Sequence, residues 1–247
     1  MIVLKTPAEI EVMRQGGEKL ALVLRKTIAA LRPGMTTAKL DEIAEREILA
    51  LGGKCSFKMV PRYHWASCVT INDEVVHGIP GKKVIKKGDV VGVDVGIYYK
   101  GFHTDAAQTV RVQAKEDEFL KVGRRALKKA IEQVKPGNRI AHISMAIQEE
   151  IEKAGFSPVA ALTGHGVGRR LHEDPMIPCF FDKKEDIGKS PILELGMTLA
   201  IEIIYNLRSP EVVLTEDGWT IKTKDGKISG LFEKTVAITA NGPLVLT

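Results

Sequence analysis

The sequence predicts an α/β (α+β) fold in which a duplicated helix–helix–strand unit faces its copy across a sheet. Two observations predict it. Apolar residues recur at helical spacing in two pairs of segments, each pair interrupted by Pro-Gly, with Val- and Ile-rich runs of strand length after the first pair and further on toward the C-terminus. Setting Pro33 on Pro136, an offset of 103, also brings Gly34, Ala38, Glu47, Ile48 and Gly52 onto the identical Gly137, Ala141, Glu150, Ile151 and Gly155, and Leu40 onto Ile143. A cleft between two such halves is a natural place for a site.

The elements follow in order. Residues 7–31 read as a helix, with Ile10, Met13, Leu20, Leu24 and Ile28 on one stripe, ended by Pro33-Gly34. Thr36 or Thr37 opens a second helix that carries Leu40, Ile43, Ile48 and Leu51 and ends at Gly52-Gly53. Residues 66–71 and 89–98 read as strands, rich in Val and Ile and bounded by Gly, Asp and Asn. A third helix spans 117–134 and stops at Pro136-Gly137; a fourth runs from about Ala141 to Ala154 before Gly155. No polar linker separates the halves, so residues 1–247 are expected to form one fused domain, a length one large domain can hold.

Composition is that of an ordinary globular chain, 44% hydrophobic and 27% charged. The N-terminus, MIVLKTPAEIEVM, reaches Glu9 and Glu11 without a long apolar stretch, so no signal peptide is expected. No apolar run approaches the ~20 residues of a membrane span, so no membrane partner is expected either. Cys55, Cys68 and Cys179 match no zinc-finger spacing, and in a chain without an export signal they read as reduced cytosolic thiols. The formal net charge of +5 is spread over doublets such as Lys82-Lys83, Arg124-Arg125 and Lys128-Lys129. These read first as solvated faces. The functional alternative is weak attraction to nucleic acid, for instance a ribosome surface.

Chemistry concentrates in a few segments. Asp94 interrupts the apolar run Val90–Val95, and a buried carboxylate needs a partner. The chain can reverse around Tyr99, Lys100 and Gly101. Any two-residue turn there puts Asp94 and Asp105 on one face of a hairpin. They lie opposite if Tyr99-Lys100 is the loop and diagonal if Lys100-Gly101 is, within about 5–8 Å either way. Two like charges at that range call for a proton or a cation. Glu202 and Glu233 likewise interrupt apolar strands, in Met197–Ile204 and Gly230–Ile238. His165 sits between glycines in GHGVG, where the backbone can approach a ligand; His172 follows in LHEDP, and His77 lies in NDEVVHGIP. Four carboxylates and an imidazole suit a pair of divalent ions such as Mn, Fe, Co or Zn. Four negative charges balance two such ions. A bridging hydroxide leaves the site at −1, which favours a substrate with a free α-amino group. Two ions about 3.5–4 Å apart are the usual hydrolytic arrangement.

At these residues the chain closely resembles the type I methionine aminopeptidases and, more broadly, the pita-bread metallopeptidases. The resemblance covers nearly the whole chain. It rests on NDEVVHGIP at 72–80, VDVGIYYKGFHTDAAQT at 93–109, GHGVGR at 164–169, LHEDP at 171–175, AIEI at 200–203, EDGWTIKTKDGKISGLFEKT at 216–235 and VAIT at 236–239. It implies a pita-bread fold: a curved antiparallel sheet flanked by two helix pairs with pseudo-twofold symmetry. It implies that two divalent metal ions are held, by Asp94 on one, Asp105 and Glu233 on both, and His165 and Glu202 on the second. Glu202 would pass a proton to the leaving amine, while His77 and His172 would hydrogen-bond the scissile peptide. Tyr63, Cys68, His77 and Trp219 would line a methionine pocket. The implied activity is removal of the initiator methionine from nascent polypeptides, in the cytoplasm, by a monomer that docks transiently on ribosomes.

Only thirty positions separate His172 from Glu202, too few for the helical insertion of type II enzymes, and no zinc-finger extension is expected. Three stretches depart from the family pattern: Arg170-Leu171 where an aromatic residue usually precedes the histidine, Lys234 where FEHT is common, and FKMVPRYHWASC at 57–68. Leu171 would make the pocket wall less aromatic. The nearest rival is a proline-specific peptidase of the same fold, which would carry a separate N-terminal domain. A rival of another class is a metal-free binding protein of this fold, which would have lost its ligands.

Overall fold

Thr6 opens the first helix, α1 (Pro7–Ala30), with a reciprocal cap: its hydroxyl accepts from the Glu9 amide, and the Glu9 carboxylate accepts from the Thr6 amide. In this computed structural model, which describes residues 1–182 and 184–247, α1 ends before Pro33-Gly34, with Gly34 in the left-handed region. Thr36 then caps α2 (Thr37–Ala50). Five strands follow: β1 (Lys54–Cys55), β2 (Ser67–Ile71), β3 (Glu74–Val76), β4 (Val90–Tyr99) and β5 (Phe102–Arg111). The second half opens with α3 (Glu118–Glu132), capped by Asp117, and α4 (Ile140–Lys153). It continues through β6 (Ser157–Pro158), β7 (Thr163–Gly166), β8 (Glu173–Pro178), β9 (Thr198–Asn206), β10 (Val212–Leu214), β11 (Ile221–Thr223), β12 (Ser229–Thr239) and β13 (Gly242–Val245). Helix and strand ends fall within a residue or two of the sequence expectation. The sequence did not anticipate the three-stranded sheet β10-β11-β3.

The main sheet has ten strands, all antiparallel, in the order β1-β4-β5-β12-β9-β7-β8, with β2 also on β4, β6 on β9 and β13 on β12. Its middle, β4-β5-β12-β9, is symmetric in connectivity: each half contributes one outer and one inner strand. The duplication is visible in backbone hydrogen bonds. Gly34 donates to Ile85 and Gly137 to Leu193; Thr37 donates to Lys83 and Ile140 to Pro191. Isolated bridges join Thr36 to Val84 and Arg139 to Ile192. The donors in these pairs sit at the offset of 103 seen in the sequence. Their acceptors sit at an offset of 108, which also relates Gly88 to Gly196, both left-handed (φ 87° and 90°), and Asp94 to Glu202.

The helices cover one face of this sheet. Val91, Val93, Val95 and Ile97 of β4 pack with Leu20, Leu24 and Ile48; Ile201, Ile203, Tyr205, Phe232 and Val236 pack with Phe119, Ala126 and Ile143. Gly123 lets α3 sit tightly there, since a Cβ would fall 2.4 Å from the Phe232 ring. Alternation along each strand sends the other residues to the opposite face, and the acidic ones are there. Among the described residues no helix is long and apolar enough to cross a membrane.

Candidate active site

The β4–β5 turn is Lys100-Gly101, because Tyr99 pairs with Phe102. Asp94 therefore lies opposite Ala107 and Asp105 opposite Gly96, the diagonal arrangement of the two the sequence allowed. Across the sheet Glu233 pairs with Glu202, and His165 pairs with Ala200, two residues from Glu202 on the same side of β9. The five side chains meet in one cavity. Ligand atoms of Asp105, His165 and Glu233 lie within 4.8 Å of one another, and His165 Nε2 is 3.7 Å from Glu202 Oε1.

Burial and mutual repulsion dominate the electrostatics. Asp94, Asp105 and Glu233 are pushed well above the usual carboxylate range, first by burial and then by the charge of their acidic neighbours. Glu202 is raised to about 8 by burial and by Asp105. Burial, then His172, depresses His165 to about 4; His77 is lowered by the same two causes and His172 by burial. The imidazole of His165 is thus neutral, and its Nδ1–H donates to the Gly166 carbonyl at 2.8 Å, which leaves the Nε2 lone pair free to ligate. Asp94 Oδ1 and Glu233 Oε1 are buried with no hydrogen-bond partner among the described residues. Two buried and two half-buried carboxylates, orphaned oxygens and an unprotonated imidazole fit a divalent cation: each property that is costly without positive charge becomes favourable with it.

The glycines around His165 are also required by the packing of the sheet. A Cβ on Gly164 would lie 2.5 Å from the Ala200 carbonyl oxygen, and one on Gly166 would lie 2.1 Å from that of Asp174. They let β7 pack against its neighbouring strands, and His165 is aimed by that packing. His77 follows β3 with a left-handed backbone (φ 56°), unusual for a residue with a Cβ and the kind of strain that marks functional sites. His172 stacks edge-on against His165 with ring centroids 4.4 Å apart. Its turn is fastened by Glu173, whose carboxylate accepts from the Arg170 amide at 3.0 Å and from the Lys5 ammonium at 2.5 Å.

A narrow pocket of about 110 Å³ opens on the carboxylates, walled by Phe57, Val60, Tyr63, Cys68, Leu171 and Trp219, with His77 and His172 at its rim. Tyr63 stacks edge-on against Trp219 at 5.1 Å and donates to the Ser67 carbonyl at 2.9 Å; Cys68 is paired with Asp94 across β2 and β4. All four expected pocket residues are there. Phe57 and Val60 were not singled out, although they belong to the divergent stretch 57–68. Leu171 does form wall where an aromatic residue was expected. Lys234 points to the helical face, as its alternation with Glu233 requires, so that departure does not touch the pocket. On the other side of the histidines a broader groove of about 630 Å³ runs past Leu162, Thr163, Arg170 and Met176.

A helix-backed antiparallel sheet that gathers buried carboxylates and a neutral histidine beneath a one-residue pocket defines a metallohydrolase. The chain belongs to metallopeptidase family M24, whose sequence profile matches residues 11–240. It is 42% identical to methionine aminopeptidase 1 of Bacillus subtilis and 41% identical to the methionine aminopeptidase of Clostridium perfringens, in each case over 100% of this chain and 99% of the relative. The crystal structure of the Thermotoga maritima methionine aminopeptidase superposes with a TM-score of 0.95 at 43% identity, covering 100% of this chain and 99% of that one. The pita-bread architecture expected from the sequence is therefore the fold of the protein.

Proposed function

We propose that the protein removes the N-terminal methionine of newly made polypeptides, acting as a monomeric, metal-dependent aminopeptidase of the cytosol that meets its substrates near the ribosome. The observation that carries this reading is the opening of the narrow pocket directly onto the acidic cluster. A volume of about 110 Å³ is well under the roughly 300 Å³ of ordinary ligand clefts and suits a single side chain. Its aromatic, aliphatic and thiol walls suit a thioether.

Asp94, Asp105, His165, Glu202 and Glu233 would hold two divalent cations, of cobalt, manganese, iron or zinc. Bound there, the cations supply an ionised water and polarise the scissile carbonyl. The protein's own groups do the rest. The acidic cluster attracts the free α-amino group, which fixes cleavage at one residue from the end. His77 and His172, at the boundary between pocket and groove, hydrogen-bond the scissile peptide and the oxygen on which charge develops. Glu202 would carry a proton to the leaving amine. The remainder of the chain runs into the broad groove.

The test is release of methionine from Met-Ala-Ser across several divalent metals, with a proline-containing dipeptide series as comparison. Methionine release supports the reading. Cleavage confined to Xaa-Pro substrates, internal cleavage, or inertness with every metal would overturn it.

A further inference from the structure

Behind the acidic cluster, on the helical face, a second cavity of about 430 Å³ lies between α1 and α3, where the two halves of the fold meet. Its floor is the central pair of strands: Gln108 of β5, and Phe232 and Lys234 of β12. Leu24 forms one side and Leu127 and Ile131 the other, with Val245 at one end. Three cations, Arg124, Lys128 and Lys234, line it against one carboxylate, Glu132, and Arg25 adds positive field at Lys234. Arg124 is engaged, paired with Glu116 and stacked over the Phe232 ring at 5.7 Å. Lys234 and Lys128 have no ion pair or side-chain hydrogen bond among the described residues. The half-buried ammonium of Lys234, at the base of an apolar trough, feels the charge of Glu233 on the other face of its strand but has no acceptor in contact with it among the described residues.

We propose that this groove is a second binding site, for a small amphiphile with an apolar body and a single carboxylate head, the head bound by Lys234 and the body lying along Leu24, Leu127 and Ile131. The charge argues for an anion, because the lining carries an excess of two positive charges before Arg25 is added. The walls argue for an apolar body, and the volume falls within the 300–1,000 Å³ range typical of small-molecule sites. Lys234 directly follows Glu233 on β12, so an occupant would press on the back of the strand that carries part of the acidic cluster. The proposal does not depend on the aminopeptidase reading, since it concerns the opposite face of the sheet.

The probe is decanoate, titrated calorimetrically into the metal-loaded protein, with 1-decanol as the uncharged comparison. Decanoate should bind with one site per chain, and decanol should not compete with it. Lys234→Met keeps the bulk and removes the charge; it should weaken decanoate about ten- to hundredfold, the loss expected for a charge-assisted hydrogen bond. Should Lys234→Met unfold, Arg25→Glu with Lys128→Glu, both on exposed helix surface, should weaken binding in the same direction. Failure of decanoate to bind, or binding by the Lys234 and rim variants as tight as by the parent, overturns the proposal. So does a decanoate signal lost in Asp105→Asn but kept in Lys234→Met, which would place the fatty acid at the acidic cluster.

Discussion

Lys5 and Glu173 form an ion pair with side-chain exposures of only 3% and 2%, joining residues 168 apart in sequence. Lys5 lies just ahead of α1 and also donates to the Val3 carbonyl at 3.0 Å. Glu173 immediately follows His172, and its second oxygen holds the Arg170 amide. Lys5→Met keeps the aliphatic stem and strands a buried carboxylate. Removing one partner of a buried pair costs about 3–5 kcal/mol. For a domain of this size each kcal/mol moves Tm by about 2–4 °C, so the loss is about 6–20 °C. Adding Glu173→Met should recover part of it by removing the orphaned charge. The recovery stays incomplete because the Arg170 amide then lacks its acceptor, at a cost of about 1–3 kcal/mol. Because Glu173 fixes the turn that carries His172, Lys5→Met should also lower kcat for peptide cleavage more than it raises KM. Thermal unfolding by circular dichroism with steady-state kinetics measures all three. A Tm for Lys5→Met within about 2 °C of the parent, or a double variant as unstable as the two single losses added together, would refute the reasoning.

The remaining predictions bear on the cluster, its pocket and the helix packing. Asp105→Ala or Glu233→Ala should abolish turnover and lower metal content by elemental analysis; full activity in either would remove them from the metal-binding set. After EDTA treatment, Glu202 is neutral in the fold and ionised when unfolded between its ordinary 4.5 and about 8. That contribution to stability is complete below pH 4.5 and is lost as pH rises through 8, and Asp94, Asp105 and Glu233 act in the same sense. Tm of the metal-free protein should therefore fall as pH rises from 5 to 8, and added divalent ion should reverse the trend; a flat profile in both would contradict the burial argument. Leu171→Phe narrows the pocket wall and should shift selectivity among residue-one side chains, read as kcat/KM ratios for Met against norleucine peptides, with unchanged ratios counting against Leu171 as wall. Gly123→Ala forces a Cβ to within 2.4 Å of Phe232 and should cost about 1–3 kcal/mol in denaturant unfolding, whereas an unchanged midpoint would mean α3 is less tightly seated.

What could be read from the sequence was local or repeated. Pro-Gly after a helix, Thr before one and alternating Val runs act over a few residues, and they located the four helices and the long strands. Asp94, Glu202 and Glu233 stand out because each breaks an apolar strand, a conflict visible without knowing what lies across the sheet, and Asp105 because a hairpin sets it on one face with Asp94. The hairpin register came down to one turn, which the sequence left open and Tyr99 against Phe102 closed. The untraceable features were long-range and carried no pattern of their own. Lys5 looks like any surface lysine until Glu173 is placed beside it. Phe57 and Val60 lie in a loop held by long-range contacts, among them the Asp41 carboxylate of α2 accepting from the Ala66 and Ser67 amides and the Ser56 amide donating to Gly96. The glycines beside His165 stand out in the sequence, but their packing role does not, because the close neighbours are strands β8 and β9, about ten and thirty-five residues further along the chain.

The internal symmetry explains why the acidic cluster sits where it does and also why it cannot be symmetric in use. The offset of 108 that relates backbone contacts of the two halves puts Glu202 where Asp94 falls. Asp105 and Glu233 occupy the inner strands β5 and β12, between those two. Each half gives one acid from its outer strand and one from its inner strand, but the inner pair is not at equivalent registers: Glu202 pairs with Glu233, whereas Asp94 pairs with Ala107 and Asp105 with Gly96. The strands beyond this set differ. β2 sets Cys68 opposite Asp94, and that side carries the aromatic pocket; β7 sets His165 opposite Ala200 beside Glu202, and that side opens on the broad groove. One flank can enclose a single side chain while the other accommodates an extended chain. On the proposed function, a peptide crossing the axis would have a narrow end and a broad end, and that polarity would act together with capture of the α-amino group by the acidic cluster to confine cleavage to the first residue.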